Sequence, residues 1–165
     1  MTAGAGDAVT LEAVARAAET TVPTILRHFA TRDALVAAAL GAALARVRAR
    51  RPRVKPGDHR AAARALAGEY EAHAMTLRAT DVATQQARRE LEPALRLHRD
   101  WLARTFSASL SPLLPLVHRR RLAQLAVVSG PAPWRALRED EGLSVPQAEA
   151  ALAELLYALT PRPER

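Results

Sequence analysis

The run TLEAVARAAETTVPTILRHFATRDALVAAAL, residues 10–40, carries two short apolar faces separated by a polar elbow. Leu11, Val14, Ala15 and Ala18 recur at i, i+3, i+4 and i+7, the spacing that lines one side of an α-helix. Thr10 can cap that helix, and Glu12 sits in its first turn, where the helix dipole favours a negative charge. The pattern halts at Glu19-Thr20-Thr21 and resumes as a second helical face of Val22, Ile25, Leu26 and Phe29. Pro23 suits the first turn of that second helix, where its missing N–H costs nothing, and it holds Val22 at the boundary. Thr31 then caps a third helix, expected from about residue 32 to Arg51 and stopped by Pro52.

The rest of the chain supports an all-α class. Apolar residues make up 49% of the 165 residues but aromatics only 4%, so the core is built mainly of Ala, Leu and Val. No long alternating run of β-branched and aromatic residues argues for strands. With no cysteine, disulfides and thiolate chemistry are excluded. The start, MTAGAGDAV, lacks the pattern of a secretory signal, and the apolar run of residues 34–45 is too short to span a bilayer. A soluble, cytoplasmic protein without membrane contact is expected.

The net charge of +7 is unevenly placed: residues 1–55 hold nine basic and four acidic side chains, most of the excess. That bias suits an N-terminal part that meets a polyanion. The segment RVRARRPRVKPGD, residues 46–58, reads as a helix end and connector. It divides the chain into residues 1–51 and 52–165. Its basic residues, like those of HRRR at 118–121, read as solvated faces.

Beyond the connector, Asp58 caps a helix with Ala62, Leu66, Tyr70, His73 and Leu77 on one face. A helix over roughly residues 81–97 is expected to bend near Pro93, and another covers residues 98–110 with Trp101, Leu102, Thr105 and Phe106 together. VHRRRLAQLAVV and WRALRED add two more, the latter closed by Gly142. Ser144 caps the last, whose apolar stripe is Val145, Leu152, Leu155, Leu156 and Leu159.

Two short helices joined by a tight turn, the second opening with small polar residues, describe a helix-turn-helix. In that design the first helix crosses the nucleic-acid backbone, and the start of the second reaches base edges in the major groove. Thr21, Val22, Pro23 and Thr24 occupy the reading end, where hydroxyls can bond to bases or phosphates and a methyl can contact thymine. Arg27, His28 and Arg32 lie where phosphates would pass, positioning the helix without reading sequence. The same pattern also suits two core helices joined by a polar elbow.

Residues 10–40 resemble the DNA-binding region of the TetR family of transcriptional repressors. Thr10, Val14, Ala15, Ala18, Thr21, Thr24, Ile25, His28, Phe29, Arg32 and Leu35 stand at matching or conservatively matching positions. More loosely, HRDWLARTF and WRALREDEGLS are similar to C-terminal segments of some members. The resemblance implies a homodimer joined through the last two helices, binding double-stranded operator DNA. It also implies central helices enclosing a pocket for a small-molecule effector, so that effector binding shifts the two reading heads and releases the DNA.

The motif departs from the family in three places. Glu19 stands at the turn position usually held by glycine, where a left-handed backbone costs about 1–2 kcal/mol. Thr20 replaces an apolar plug, and Leu26 replaces a tyrosine whose hydroxyl reaches a phosphate in relatives. The resemblance also implies a full helix before Thr10, where only nine residues stand, so the true start is expected upstream. The competing expectation is a dimeric all-α ligand-binding or interaction protein with a degenerate DNA-binding head.

Candidate pocket residues are Tyr70, His73, His98, Trp101 and Trp134, apolar bodies with polar tips. Histidines at 28, 59, 73, 98 and 118 show no metal-ligand spacing, so neither metal nor cofactor is expected. No phosphate loop, nucleophile elbow or nucleophile–base pairing marks an enzyme.

Overall fold

A computed structural model of the chain describes residues 12, 15–16, 19–29, 31–74 and 85–161. These residues form helices, turns and irregular connections, with no strand among them. Eight α-helices have their bounds among the described residues, in order α1 Val22–Phe29, α2 Arg32–Ala49, α3 His59–Ala72, α4 Gln85–Thr105, α5 Ser107–Leu110, α6 Pro115–Val128, α7 Pro131–Arg135 and α8 Val145–Leu159. A π-helical turn, Ala136–Asp140, continues α7. The helix expected at residues 10–18 lies largely outside the described residues; Glu12, Ala15 and Arg16 are helical within it. Leu77 and residues 81–84 also lie outside them.

Local chemistry sets the boundaries. Thr31 has extended backbone, and its Oγ1 accepts the Ala34 N–H at 3.1 Å, satisfying one of the orphan donors at the start of α2. Asp58 caps α3 in the same way through Ala61 N at 2.9 Å. Gly57, at φ +77°, makes the left-handed turn before it and donates its N–H to Thr105 O at the end of α4. A side chain with Cβ would be strained there.

The break expected after residue 97 does not occur. Residues 85–105 form one helix that runs through Pro93 and past residue 97. Pro93 is on the exposed side of α4, where water can take the carbonyl bond that the missing N–H forfeits, while Leu91 and Ala94 bury the other side. The helix ends at Thr105, and Phe106 turns the chain into α5.

The closest-packed helix pairs are α2 with α4 and α3 with α8, and both pairs also meet the remaining helices. Leu66, Tyr70, Leu102, Phe106, Leu110, Leu125, Leu152 and Leu156 are fully buried in one continuous core with Trp101 and Trp134. Each large apolar side chain so buried contributes about 1.5–3 kcal/mol. Leu155, expected in the apolar stripe of α8, is instead exposed, as are Leu116 and Val127 on α6 and Tyr157 on α8.

Candidate nucleic-acid interface

The elbow between the two apolar faces is a helix-ending Schellman turn. Thr20 N–H reaches back to Ala15 O at 2.9 Å and Glu19 N–H to Arg16 O at 3.2 Å, the pair of bonds that satisfies the last carbonyls of a helix. The geometry requires a left-handed residue, and Glu19 takes it at φ +50°. The chain therefore turns where a glycine would turn it, at the steric cost of a Cβ.

The turn delivers Thr21 to the start of α1. Thr21 O accepts Ile25 N–H at 3.1 Å, and its Oγ1 faces Thr24 N at 3.4 Å and Thr24 Oγ1 at 3.0 Å. Thr21 is thus the N-cap of α1, and the two hydroxyls share a hydrogen bond. Only one of them donates in that pair, so the other hydroxyl keeps its proton for an outside acceptor. The helix dipole places partial positive charge at the same end, which favours a phosphate or a carbonyl edge.

An eight-residue helix is marginal by itself and relies on packing. Ile25 is its buried anchor, α2 is the helix it packs on, and Val22 and Phe29 are half-buried. Thr21, Pro23, Leu26, Arg27 and His28 are exposed, and Thr24 is half-buried. The threonines, the proline and the two basic side chains therefore come together at one short helix. Arg32 opens α2 next to them, and Thr10 lies outside the described residues.

α1 is tied to the rest of the molecule through α2, and the far end of α2 is held by buried charge. Arg48 and Arg51 both reach Glu69 of α3: Arg48 Nε is 3.4 Å from Oε1, and Arg51 donates Nε–H to Oε2 at 2.8 Å. Arg51 Nη2 lies 2.6 Å from the same oxygen. Arg48 also donates to Ala94 O at 2.8 Å, and the Arg51 guanidinium lies 4.8 Å from the centre of the Trp101 ring. Trp101 Nε1 in turn donates to Pro52 O at 3.0 Å.

His98 continues this network. Its Nδ1 lies 3.0 Å from Arg51 Nη1, and because guanidinium can only donate, Nδ1 is the acceptor and the proton sits on Nε2. Nε2–H then donates to Ser129 Oγ at 3.1 Å, and Ser129 Oγ donates to Leu125 O at 2.6 Å. Burial holds the His98 pKa well below the ordinary imidazole value, with the charges of Arg51 and Arg48 acting in the same direction. Tyr70 donates its hydroxyl to Ser129 O, and burial raises its pKa. The basic run at 46–55, read from sequence as a solvated face, thus sends Arg48 and Arg51 inward. Their common partner, Glu69, carried no sequence signal beyond an acidic residue amid the apolar face of α3.

The other candidate pocket residues are spread around this network. Tyr70 and Trp134 line a cavity of about 250 Å³ with Glu71, Pro131 and Arg138. Their rings lie 6.2 Å apart, and Trp134 Nε1 donates to Glu71 Oε1 at 2.9 Å. The Glu71 pKa is lowered, chiefly by its hydrogen bond with Arg138. His73 caps the C-terminus of α3 and faces a different cavity. His98 and Trp101 are buried and hydrogen-bonded within the protein.

An exposed short helix led by a threonine-capped turn, carried on a longer helix anchored in an all-α body, defines a helix-turn-helix protein. Residues 5–39 match the family model described as bacterial regulatory proteins, tetR family. The match supports membership of the TetR family and, with it, a DNA-binding transcriptional regulator in general. Members of that family are regulators rather than enzymes. No curated protein and no solved structure matches the chain. Among the described residues no helix is long and apolar enough to cross a membrane.

Proposed function

We propose that the protein is a ligand-responsive repressor that binds operator DNA as a homodimer in the cytoplasm. Residues 1–51 serve as the reading head and its connecting helix, and residues 52–165 as the effector-binding and dimerisation part. The observation that carries this reading is the group at the start and on the open side of α1: exposed Thr21, Pro23, Arg27 and His28 with half-buried Thr24, held by the Ile25 anchor below and the Thr21 cap in front. Thr10 and Arg32 extend the grip on the phosphates, and Val22 sets how closely the helix approaches the groove.

Dimerisation is supported by α6 and α8. Leu116 is 71% exposed, Val127 68% and Tyr157 55%, and α8 carries only two charged side chains, Glu149 and Glu154. A helix so apolar around its circumference needs a second surface to cover it. An effector would enter beside Tyr70 and Trp134 and displace the Trp134–Glu71–Arg138 contacts, with His73, His98 and Trp101 responding through the network behind Tyr70.

Footprinting on the DNA upstream of the gene, joined to a reporter driven by the same DNA, tests this reading. A protected site with two half-sites and a reporter silenced by the protein would support it. A protein that leaves the DNA unprotected is an interaction or ligand-binding module instead, and a reporter that rises with the protein reverses the sign of regulation.

A further inference from the structure

A cavity of about 600 Å³ opens between the C-terminal end of α2 and the outer side of α3. Arg46, Arg50, Arg51 and Arg64 line it, and Glu69 is the one carboxylate on its wall. Glu69 is already committed to Arg48 and Arg51. Arg46 and Arg50 make no ion pair among the described residues, while Arg64 meets Glu149 from its exposed side. The polar wall therefore keeps an uncompensated positive charge. The floor is apolar, made by Val47, Pro52 and Ala65.

His73, at the end of α3, and Gly68, in its middle, complete the lining. A glycine in a helix interior is less favourable than an alanine. Packing does not demand it, because a Cβ at Gly68 would meet nothing within 4 Å. Its effect is to keep the floor of the cavity open.

We propose that this cavity binds a small amphipathic carboxylate, its head held by the Arg46 and Arg50 guanidinium groups and its hydrocarbon part laid on Val47, Pro52 and the Gly68 gap. Planar guanidinium groups pair with a carboxylate through two parallel hydrogen bonds, and the apolar floor adds contact with a hydrocarbon part that a bare anion such as phosphate lacks. The site is separate from the Tyr70–Trp134 cavity and stands whether or not the protein represses transcription. It touches α2 at the turn before Arg51, where the connecting helix is anchored.

The test is thermal unfolding and isothermal titration of the full chain with octanoate, octanamide and inorganic phosphate at pH 7.5. Octanoate should bind and raise Tm, and octanamide and phosphate at equal concentration should do neither. Gly68→Leu should fold with an unchanged or higher Tm and lose the octanoate shift, because its side chain fills the floor. Should Gly68→Leu fold poorly, the exposed pair Arg46→Ala/Arg50→Ala carries the same test and should weaken octanoate at least tenfold. Octanoate without effect, equal shifts from octanamide or phosphate, or undiminished binding by both variants would overturn the proposal.

Discussion

Removing the carboxylate of Glu69 is the sharpest perturbation of the joint between α2 and the body of the protein. The side chain is 4% exposed and accepts from two guanidinium groups whose side chains are 4% and 1% exposed. Glu69→Ala would leave both cations buried without their counter-charge. Breaking a buried ion pair in this way costs about 3–5 kcal/mol, far more than an exposed pair. For a chain of this size each kcal/mol moves Tm by about 2–4 °C, so a fall of about 6–20 °C is expected. Thermal unfolding followed by circular dichroism, at one protein concentration because dimerisation would also shift the midpoint, measures it. Arg51→Ala alone should also destabilise, and in Glu69→Ala/Arg51→Ala the two effects should overlap by at least about 1 kcal/mol, since they break the same ion pair. A destabilisation below about 1 kcal/mol for Glu69→Ala, or strictly additive effects, would refute the view that this carboxylate anchors the end of α2.

Three further outcomes follow from the geometry. Glu19→Gly should stabilise the head by about 0.5–1 kcal/mol, the left-handed strain removed less the entropy that glycine adds to the unfolded chain, seen as slower hydrogen exchange in α1. Leu26→Tyr places a hydroxyl on the exposed side of α1 and should tighten DNA binding by about 0.5–1.5 kcal/mol, a change read by gel shift. His98 is neutral in the fold, its pKa depressed by burial, Arg51 and Arg48, whereas the unfolded chain takes up a proton near the ordinary value. The unfolded state therefore binds more protons, and stability present above about pH 6.5 is lost as pH falls below it. Denaturant midpoints between pH 7.5 and 5.5 should show that decline, and His98→Gln should flatten it.

The all-α class and the helix-turn-helix were legible because they rest on local spacing. Leu11 to Ala18 and Val22 to Phe29 repeat at helical intervals, and the caps Thr31 and Asp58 do what their side chains do in any chain. Even the awkward residue was visible: Glu19 stands in a position that demands a left-handed backbone, and it adopts one. What spacing could not convey was the partner of a charge. Arg48 and Arg51 sit in a run of arginines that looks solvated, and their burial depends on Glu69, eighteen or more residues away. The division expected after residue 97 is absent too: residues 85–105 form one helix, and Pro93 stands on its exposed side, where water can take the orphaned carbonyl. Likewise the five candidate pocket residues share an amphipathic chemistry, but their places around two cavities and a closed hydrogen-bond network are set by tertiary packing.

We propose that α1 grips DNA with Thr21, Thr24, Arg27 and His28. The most direct test is the affinity for the upstream DNA, by fluorescence anisotropy across a salt series, for the wild type and Arg27→Ala. The logarithm of the binding constant should fall linearly with the logarithm of salt concentration. Arg27→Ala should weaken binding and reduce the slope by about 1.8, because each of the two subunits no longer neutralises one phosphate. Absence of binding at low salt, or an unchanged slope in Arg27→Ala, would contradict it.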